Sequence, residues 1–142
     1  MDDLLAVGRA VLAAQPFSVL VGAELSAFGP DGVVLELPVR DDLKQQFGYA
    51  HGGVVGYLAD NALTYAGATV LGRAVVTVEM KVNYLRPAIG ERLIARATVV
   101  SGGRSLAVTR CDVFAVRDGR ETPCAAAQGT IARHVAKGPA RP

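Results

Sequence analysis

Tryptophan is absent from this sequence, and cysteine and histidine appear only twice each, as Cys111, Cys124, His51 and His134. These four residues lack the close spacing of a zinc site, so no metal ligand set and no metal cofactor is expected. Two cysteines also make no disulfide framework; both are expected as buried free thiols of a reducing compartment. No run of consecutive Lys or Arg occurs and the net charge is only +2, which removes the electrostatic case for a nucleic-acid partner. A basic leader is missing too: Met1-Asp2-Asp3 is acidic where a secretory signal would be basic, and a cytoplasmic protein is expected. There is no internal repeat and no low-complexity segment. With 51% hydrophobic and 20% charged residues over 142 positions, the composition fits one compact domain with its own core rather than a disordered chain.

What the sequence does have is one apolar stretch, HGGVVGYLADNALTYAGATVL, from His51 to Leu71. Val, Leu, Ala, Gly and Tyr fill nearly every position, without the polar face that a surface helix shows every third or fourth residue. The pattern predicts a long helix wrapped by other structure. Asp60 and Asn61 at its midpoint argue against a membrane span. Asp60 also raises a question of chemistry, because an ionised carboxylate taken out of water is costly unless it is paired or used. It is the first candidate for function.

Around this helix the chain reads mostly as strands. Leu4, Leu5, Val7, Val11 and Leu12 predict a short amphipathic helix over Asp2–Ala14 that Pro16 stops. Phe17–Phe28 is expected to be a strand. It turns at Gly29-Pro30-Asp31-Gly32 into a return strand on which Val33, Leu35, Leu37 and Val39 alternate. Arg40–Ala50 is a polar connection into the long helix. In the next strand Val76, Val78, Met80, Val82 and Tyr84 alternate with Thr77, Glu79, Lys81 and Asn83 in a clean period of two. Leu93–Val100, Ser105–Val116 and Thr122–Arg133 complete the set, separated by turn signals at Arg86–Gly90, Ser101-Gly102-Gly103 and Asp118-Gly119. One domain over 1–135 is expected, with 136–142, rich in Gly and Pro, as a flexible tail.

A short helix, two strands, a long helix and four strands make an α+β chain in which six antiparallel strands wrap one central helix, a hotdog fold. The stretch GYAHGGVVGYLADNALTYAG, followed by VTVEMKVNYLRPAIGERL, resembles the PaaI-type acyl-CoA thioesterases of the hotdog superfamily, over most of the chain to Arg133. His-Gly-Gly with an acid nine residues after the His carries most of that resemblance. It implies hydrolysis of an aryl- or acyl-CoA to the free acid and CoA, without a cofactor. It also implies a homodimer or dimer of dimers whose active sites are shared between subunits. Carried onto this sequence, it makes Asp60 the general base or nucleophile. Gly52 supplies the backbone N–H that polarises the thioester carbonyl, His51 helps position that carbonyl, and Thr77 orients the water. Gln45 falls six residues before His51, where many relatives carry Asn, and Gln46 is the alternative at that place.

The residues support this chemistry by themselves. Thioester hydrolysis needs a base near water and donors where the oxyanion develops. A helix N-terminus supplies unpaired N–H groups and partial positive charge, and Gly52 and Gly53 let a ligand approach closely. Structural readings stand beside these: His51 as a helix cap, Tyr65 as packing, Asn61 and Thr64 as bonded to backbone or strand, and Gly52, Gly53 and Gly56 as room for close-lying strands. Among Arg86, Arg104 and Arg133, the Gly102-Gly103-Arg104-Ser105 turn is favoured as a substrate phosphate contact, since free turn N–H groups suit anions. Two other classes stay open. A hotdog dehydratase or hydratase would pair its Asp with a His five residues on, where this chain has Tyr65. A non-catalytic acyl-CoA-binding protein would need no base. Finally, Gly52 and Asp60 are eight residues apart, about 12 Å along a straight helix, whereas reacting groups meet within about 3–3.5 Å. Two antiparallel helices of a dimer would bring Gly52 of one chain to Asp60 of the other.

Overall fold

The computed structural model describes residues 3–135, and the expected tail at 136–142 lies outside them. The chain opens with helix α1, Leu4–Ala13, capped by Asp3, whose carboxylate accepts the N–H groups of Leu5 and Ala6. A second helix, α2, follows at Pro16–Val21. This corrects the expected strand over Phe17–Phe28: only its second half is extended, as strand β1, Glu24–Gly29. Pro16 ends α1, but it also occupies the first turn of α2, where its missing N–H costs nothing and its fixed φ suits the helix. Gly22 then adopts the left-handed conformation at φ 80° and donates to the carbonyls of Ser18 and Val19. These two end signals override the strand propensity of Phe17, Val19 and Val21.

Strand β2, Gly32–Pro38, completes the expected hairpin, and a single 3-10 turn at Asp41–Leu43 interrupts the connection to helix α3, Gly52–Leu71. Strands β3 (Val75–Tyr84), β4 (Arg92–Gly102), β5 (Leu106–Arg117) and β6 (Arg120–Arg133) follow. All six strands form one antiparallel sheet in the order β1-β2-β4-β5-β6-β3. The sheet curls around α3, which packs against every strand. This is the hotdog fold.

Small residues set how closely helix and sheet approach. Ala59, Ala62 and Ala66 are buried on α3, and Leu58 and Leu63 interleave with Leu35, Leu37, Leu93, Val113 and Ile131. At Gly67 even a methyl group would stand 2.7 Å from Cβ and Cγ2 of Ile131. The buried Thr109 hydroxyl donates to the Leu63 carbonyl at 3.1 Å, which satisfies a polar group in the core. Burial pushes the Cys111 thiol up to about 12 and the Cys124 thiol up to about 11, because the thiolate loses its hydration. The helix is not wrapped all round, however. Within the single chain Asp60, Asn61 and Thr64 are only half-buried, on the side of α3 that the sheet leaves open.

Strand β3 departs from the clean alternation its sequence predicts. Thr77 pairs with Ile131 but Glu79 already pairs with Thr130, so Val78 is an extra residue, a β-bulge. The bulge reverses which residues face inward. Val75 and Thr77 point toward α3 before it and Met80 and Val82 after it, while Val76 and Val78 are left 46% and 58% exposed. A polar residue has been turned in and two valines turned out.

Replacing Gly67 tests the close approach. Gly67→Ala is expected to destabilise the fold by about 2 kcal/mol, the cost of overpacking, even though alanine is the better helix former. In thermal unfolding this reads as a melting temperature lower by roughly 5 °C; an unchanged or higher value contradicts the packing described.

Candidate active site

The N-terminus of α3 is organised by His51. Its Nδ1 accepts the Gly53 N–H at 2.8 Å, and its carbonyl accepts from Val54 and Val55 at 3.0 and 3.2 Å. An accepting Nδ1 leaves the neutral ring proton on Nε2. With those donors engaged, the Gly52 N–H has no acceptor among the described residues. It is the free donor at the positive end of a 20-residue helix. Beside it lies a cavity of about 410 Å³, lined by Gln45, Gly52, Tyr84, Arg86 and Cys124, with Ala88. Gln45 is a wall of this cavity, but its oxygen is already used: Oε1 accepts the Phe47 N–H at 2.5 Å and the Tyr49 N–H at 3.4 Å. Only its amide NH2 remains for a ligand. Gln46 is exposed in the same loop.

Asp60 lies two turns further along the helix. Its Oδ1 accepts the Thr77 hydroxyl from β3 at 2.6 Å, and Thr77 Oγ1 lies 2.9 Å from Thr64 Oγ1. Thr64 also reaches the Asp60 carbonyl at 2.9 Å. Each hydroxyl has one proton. Thr77 donates its hydrogen bond to the carboxylate, and Thr64 shares its own between the helix carbonyl and Thr77. The second carboxylate oxygen of Asp60 accepts no hydrogen bond from the described residues. The arrangement holds the carboxylate in one orientation with one oxygen available to water, which suits proton abstraction.

Other expected residues fall elsewhere. Arg104 and Ser105 are exposed in the turn between β4 and β5. Gly102, at the base of that turn, stands against Val70 near the C-terminal end of α3. Along the helix axis Val70 is about 15 Å from Asp60 and about 27 Å from Gly52. One chain therefore gathers Gly52, Gln45 and His51 at one end of α3, Asp60 and Thr77 at its middle, and Arg104 and Ser105 at the other end. No three His, Cys, Asp or Glu side chains among the described residues cluster as metal ligands, and no described helix is long and apolar enough to cross a membrane.

Residues 47–122, which include Gly52, Asp60 and Thr77, match the thioesterase superfamily. The chain belongs to that superfamily. Human acyl-coenzyme A thioesterase 13 is 31% identical over 137 residues, 94% of this chain and 95% of the relative. A thioesterase family protein from Silicibacter pomeroyi superposes with a TM-score of 0.85 at 38% identity, covering 90% of this chain and 96% of that one. The PaaI protein of E. coli, at 22% identity and a TM-score of 0.79 over 90% of this chain and 91% of its own, shares the fold.

One residue of this candidate site is not apparent as such in the sequence. Tyr84 donates from its hydroxyl to the Gly52 carbonyl at 2.8 Å, and its ring would touch a methyl group at Gly52 at 3.6 Å. It braces the helix start from 32 residues away, a contact that no local pattern encodes. Thr64 was expected to bond backbone or strand, and it does both, at the Asp60 carbonyl and at Thr77 of β3. Tyr65 is the packing residue expected: it is buried, bonded to the Gly8 carbonyl at 2.8 Å, and pushed up to about 12 by burial and the neighbouring Tyr57, so it stays neutral.

The Thr77 bond can be tested by its hydroxyl alone. Thr77→Val is expected to slow thioester hydrolysis about tenfold to a hundredfold, the worth of a hydrogen bond to a charged group, while Thr77→Ser retains most of the rate. Free-thiol release measures both, and equal rates in the two folded variants show that the bond does not serve turnover.

Proposed function

We propose that this chain hydrolyses acyl-CoA thioesters, with Asp60 as general base and the Gly52 N–H as the donor to the developing oxyanion. The observation that carries this is the pairing, on one helix, of an unbonded N–H at its positive end with a carboxylate oriented by Thr77 and open on one oxygen. Water bound at that open oxygen gives a proton to Asp60 as its oxygen attacks the thioester carbon. The carbonyl oxygen becomes an oxyanion stabilised by Gly52. Collapse breaks the C–S bond, and the CoA thiolate recovers the proton from Asp60, leaving the free acid. The resemblance to human acyl-coenzyme A thioesterase 13 supports CoA as the leaving group. The open His51 Nε2–H and the Gln45 amide are suited to hold the carbonyl in place.

We further propose that two chains share each site. Gly52 and Asp60 are about 12 Å apart along the axis of α3, too far for one reacting centre. Strand β3 is an edge of the sheet, with unpaired backbone groups and the exposed Val76 and Val78 turned out by its bulge. Joining two such edges makes a twofold dimer in which antiparallel helices can oppose Gly52 of one chain to Asp60 of the other. A dimer of dimers would keep the same sites. The two buried free thiols support a reducing compartment, the cytoplasm.

Asp60→Asn keeps size and removes the charge; turnover of an acyl-CoA is expected to fall at least about a hundredfold with the fold intact. Near-normal turnover would remove Asp60 from the mechanism. The shared site is tested by mixing Gly52→Pro with Asp60→Ala. Proline fits at Gly52 because that N–H bonds nothing in the fold, the position opens the helix, and His51 at φ −60° and ψ 137° already has the extended conformation favoured before proline. Each variant alone should be inactive. Random reassociation makes half the dimers mixed, each with one intact site, so about a quarter of wild-type activity should return. Folded, exchanging subunits that recover nothing overturn the shared site.

A further inference from the structure

Tyr84 ends strand β3, and its hydroxyl donates to the Gly52 carbonyl at 2.8 Å. Tyr84 is 58% exposed, so burial of apolar surface is not what gives the residue its place. The sheet fixes its backbone. Tyr84 pairs with Ala125 of β6, and the N–H of Leu85, the next residue, donates to the Cys124 carbonyl at 2.9 Å. A paired strand thus delivers one hydroxyl to the first turn of α3. We infer that Tyr84 is a positioning residue for the oxyanion donor: together with His51 it locks the Gly52–Gly53 peptide, and with it the direction of the free Gly52 N–H. This rests on the thioesterase reading above.

Two consecutive glycines at a helix start are the freest backbone a chain can offer, and helix ends fray. A donor that wanders stabilises an oxyanion less than one already aimed at it. The Gly52 N–H bonds nothing among the described residues, so its direction has to be held through its neighbours. Both ends of the peptide between Gly52 and Gly53 are engaged by side chains. Its carbonyl takes the Tyr84 hydroxyl, and its N–H goes to His51 Nδ1 at 2.8 Å. Bonds at the two ends of one peptide polarise it in the same sense, so each strengthens the other. The glycines around it make both bonds possible. A methyl group at Gly53 would stand 2.9 Å from His51 Nδ1, and one at Gly56 would stand 3.2 Å from the Tyr84 hydroxyl oxygen. Gly53 and Gly56 therefore leave the room that the two holding side chains occupy, while Tyr84 also forms a wall of the cavity beside Gly52.

Tyr84→Phe removes the hydroxyl and keeps the ring. With the best substrate of an acyl-CoA panel, kcat is expected to fall about fivefold to tenfold, the worth of one ordinary hydrogen bond. KM should stay within about twofold of wild type, because the aimed donor acts on the developing oxyanion. Amide exchange followed by NMR gives a readout independent of turnover. The Gly53 N–H should exchange about fivefold faster in Tyr84→Phe while Leu63, in the middle of α3, keeps its wild-type rate. A Tyr84 that only stabilises the fold would change both amides or neither. The third measurement is a double-mutant cycle with His51→Ala. Since both side chains hold one peptide, the double variant should lose at most about threefold in kcat beyond His51→Ala alone, whereas independent contributions multiply. An unchanged kcat in Tyr84→Phe, a loss confined to KM, a Gly53 exchange rate that does not move, or multiplying losses in the cycle overturns the inference and leaves the hydrolase standing. Release of no thiol from any acyl-CoA by the wild type overturns the hydrolase reading itself, and this one with it.

Discussion

The hydrogen bond from Thr77 to Asp60 joins two elements that would otherwise have no reason to be in register. A carboxylate half out of water on an apolar helix needs a donor, because desolvation without one is costly. The donor comes from an edge strand, and it arrives only because the bulge at Val78 turns Thr77 inward. The same bulge exposes Val76 and Val78 along the sheet edge. One extra residue in β3 thus orients the carboxylate and leaves apolar surface on the edge that we propose joins two chains. Bulges often stand beside active sites for this reason: they re-aim a single side chain without moving the sheet.

Close packing provides the rigid frame for that bond. Ala59, Ala62, Ala66 and Gly67 let the sheet come down onto α3, and the Leu63 carbonyl is held by Thr109 from β5. With the helix fixed against the central strands, the positions of Gly52 at its start and Asp60 at its middle are fixed as well. The free N–H at Gly52 is backed by Tyr84, and Asp60 is backed by Thr64 and Thr77. Preorganised donors and bases of this kind need no rearrangement at the moment of reaction, which is where much of an enzyme's electrostatic advantage lies.

The N-terminal helices contribute on the side that the sheet leaves open. α2 exists because Pro16 and Gly22 start and stop it, and Ser18 within it bonds Tyr57 of α3 at 2.6 Å. α1 is held by Tyr65. Together they cover part of the helix face that bears Asn61 and Thr64. The residues we propose as catalytic come from α3 and β3, so α1 and α2 serve that site only by holding α3 in place.

Much of this was legible in the residues alone. The run from His51 to Leu71 announced a long helix, and alternating valines and leucines announced the strands, because side-chain periodicity is local and repeats along a few turns or pleats. Asp60 stood out for the same local reason, a charge where its neighbours were apolar, and the His51-Gly52-Gly53 spacing pointed to the thioesterases. Other features depend on pairing between distant residues. The alternation in β3 grouped Thr77 with Glu79, Lys81 and Asn83, and the family resemblance marked it for the site; its register against β6 shows the phase reversal that aims it at Asp60. The bracing of Gly52 by Tyr84 and the separation of Arg104 from Gly52 along α3 likewise follow from how elements are juxtaposed. Periodicity tells which face of an element is apolar, but register and packing decide what that face meets.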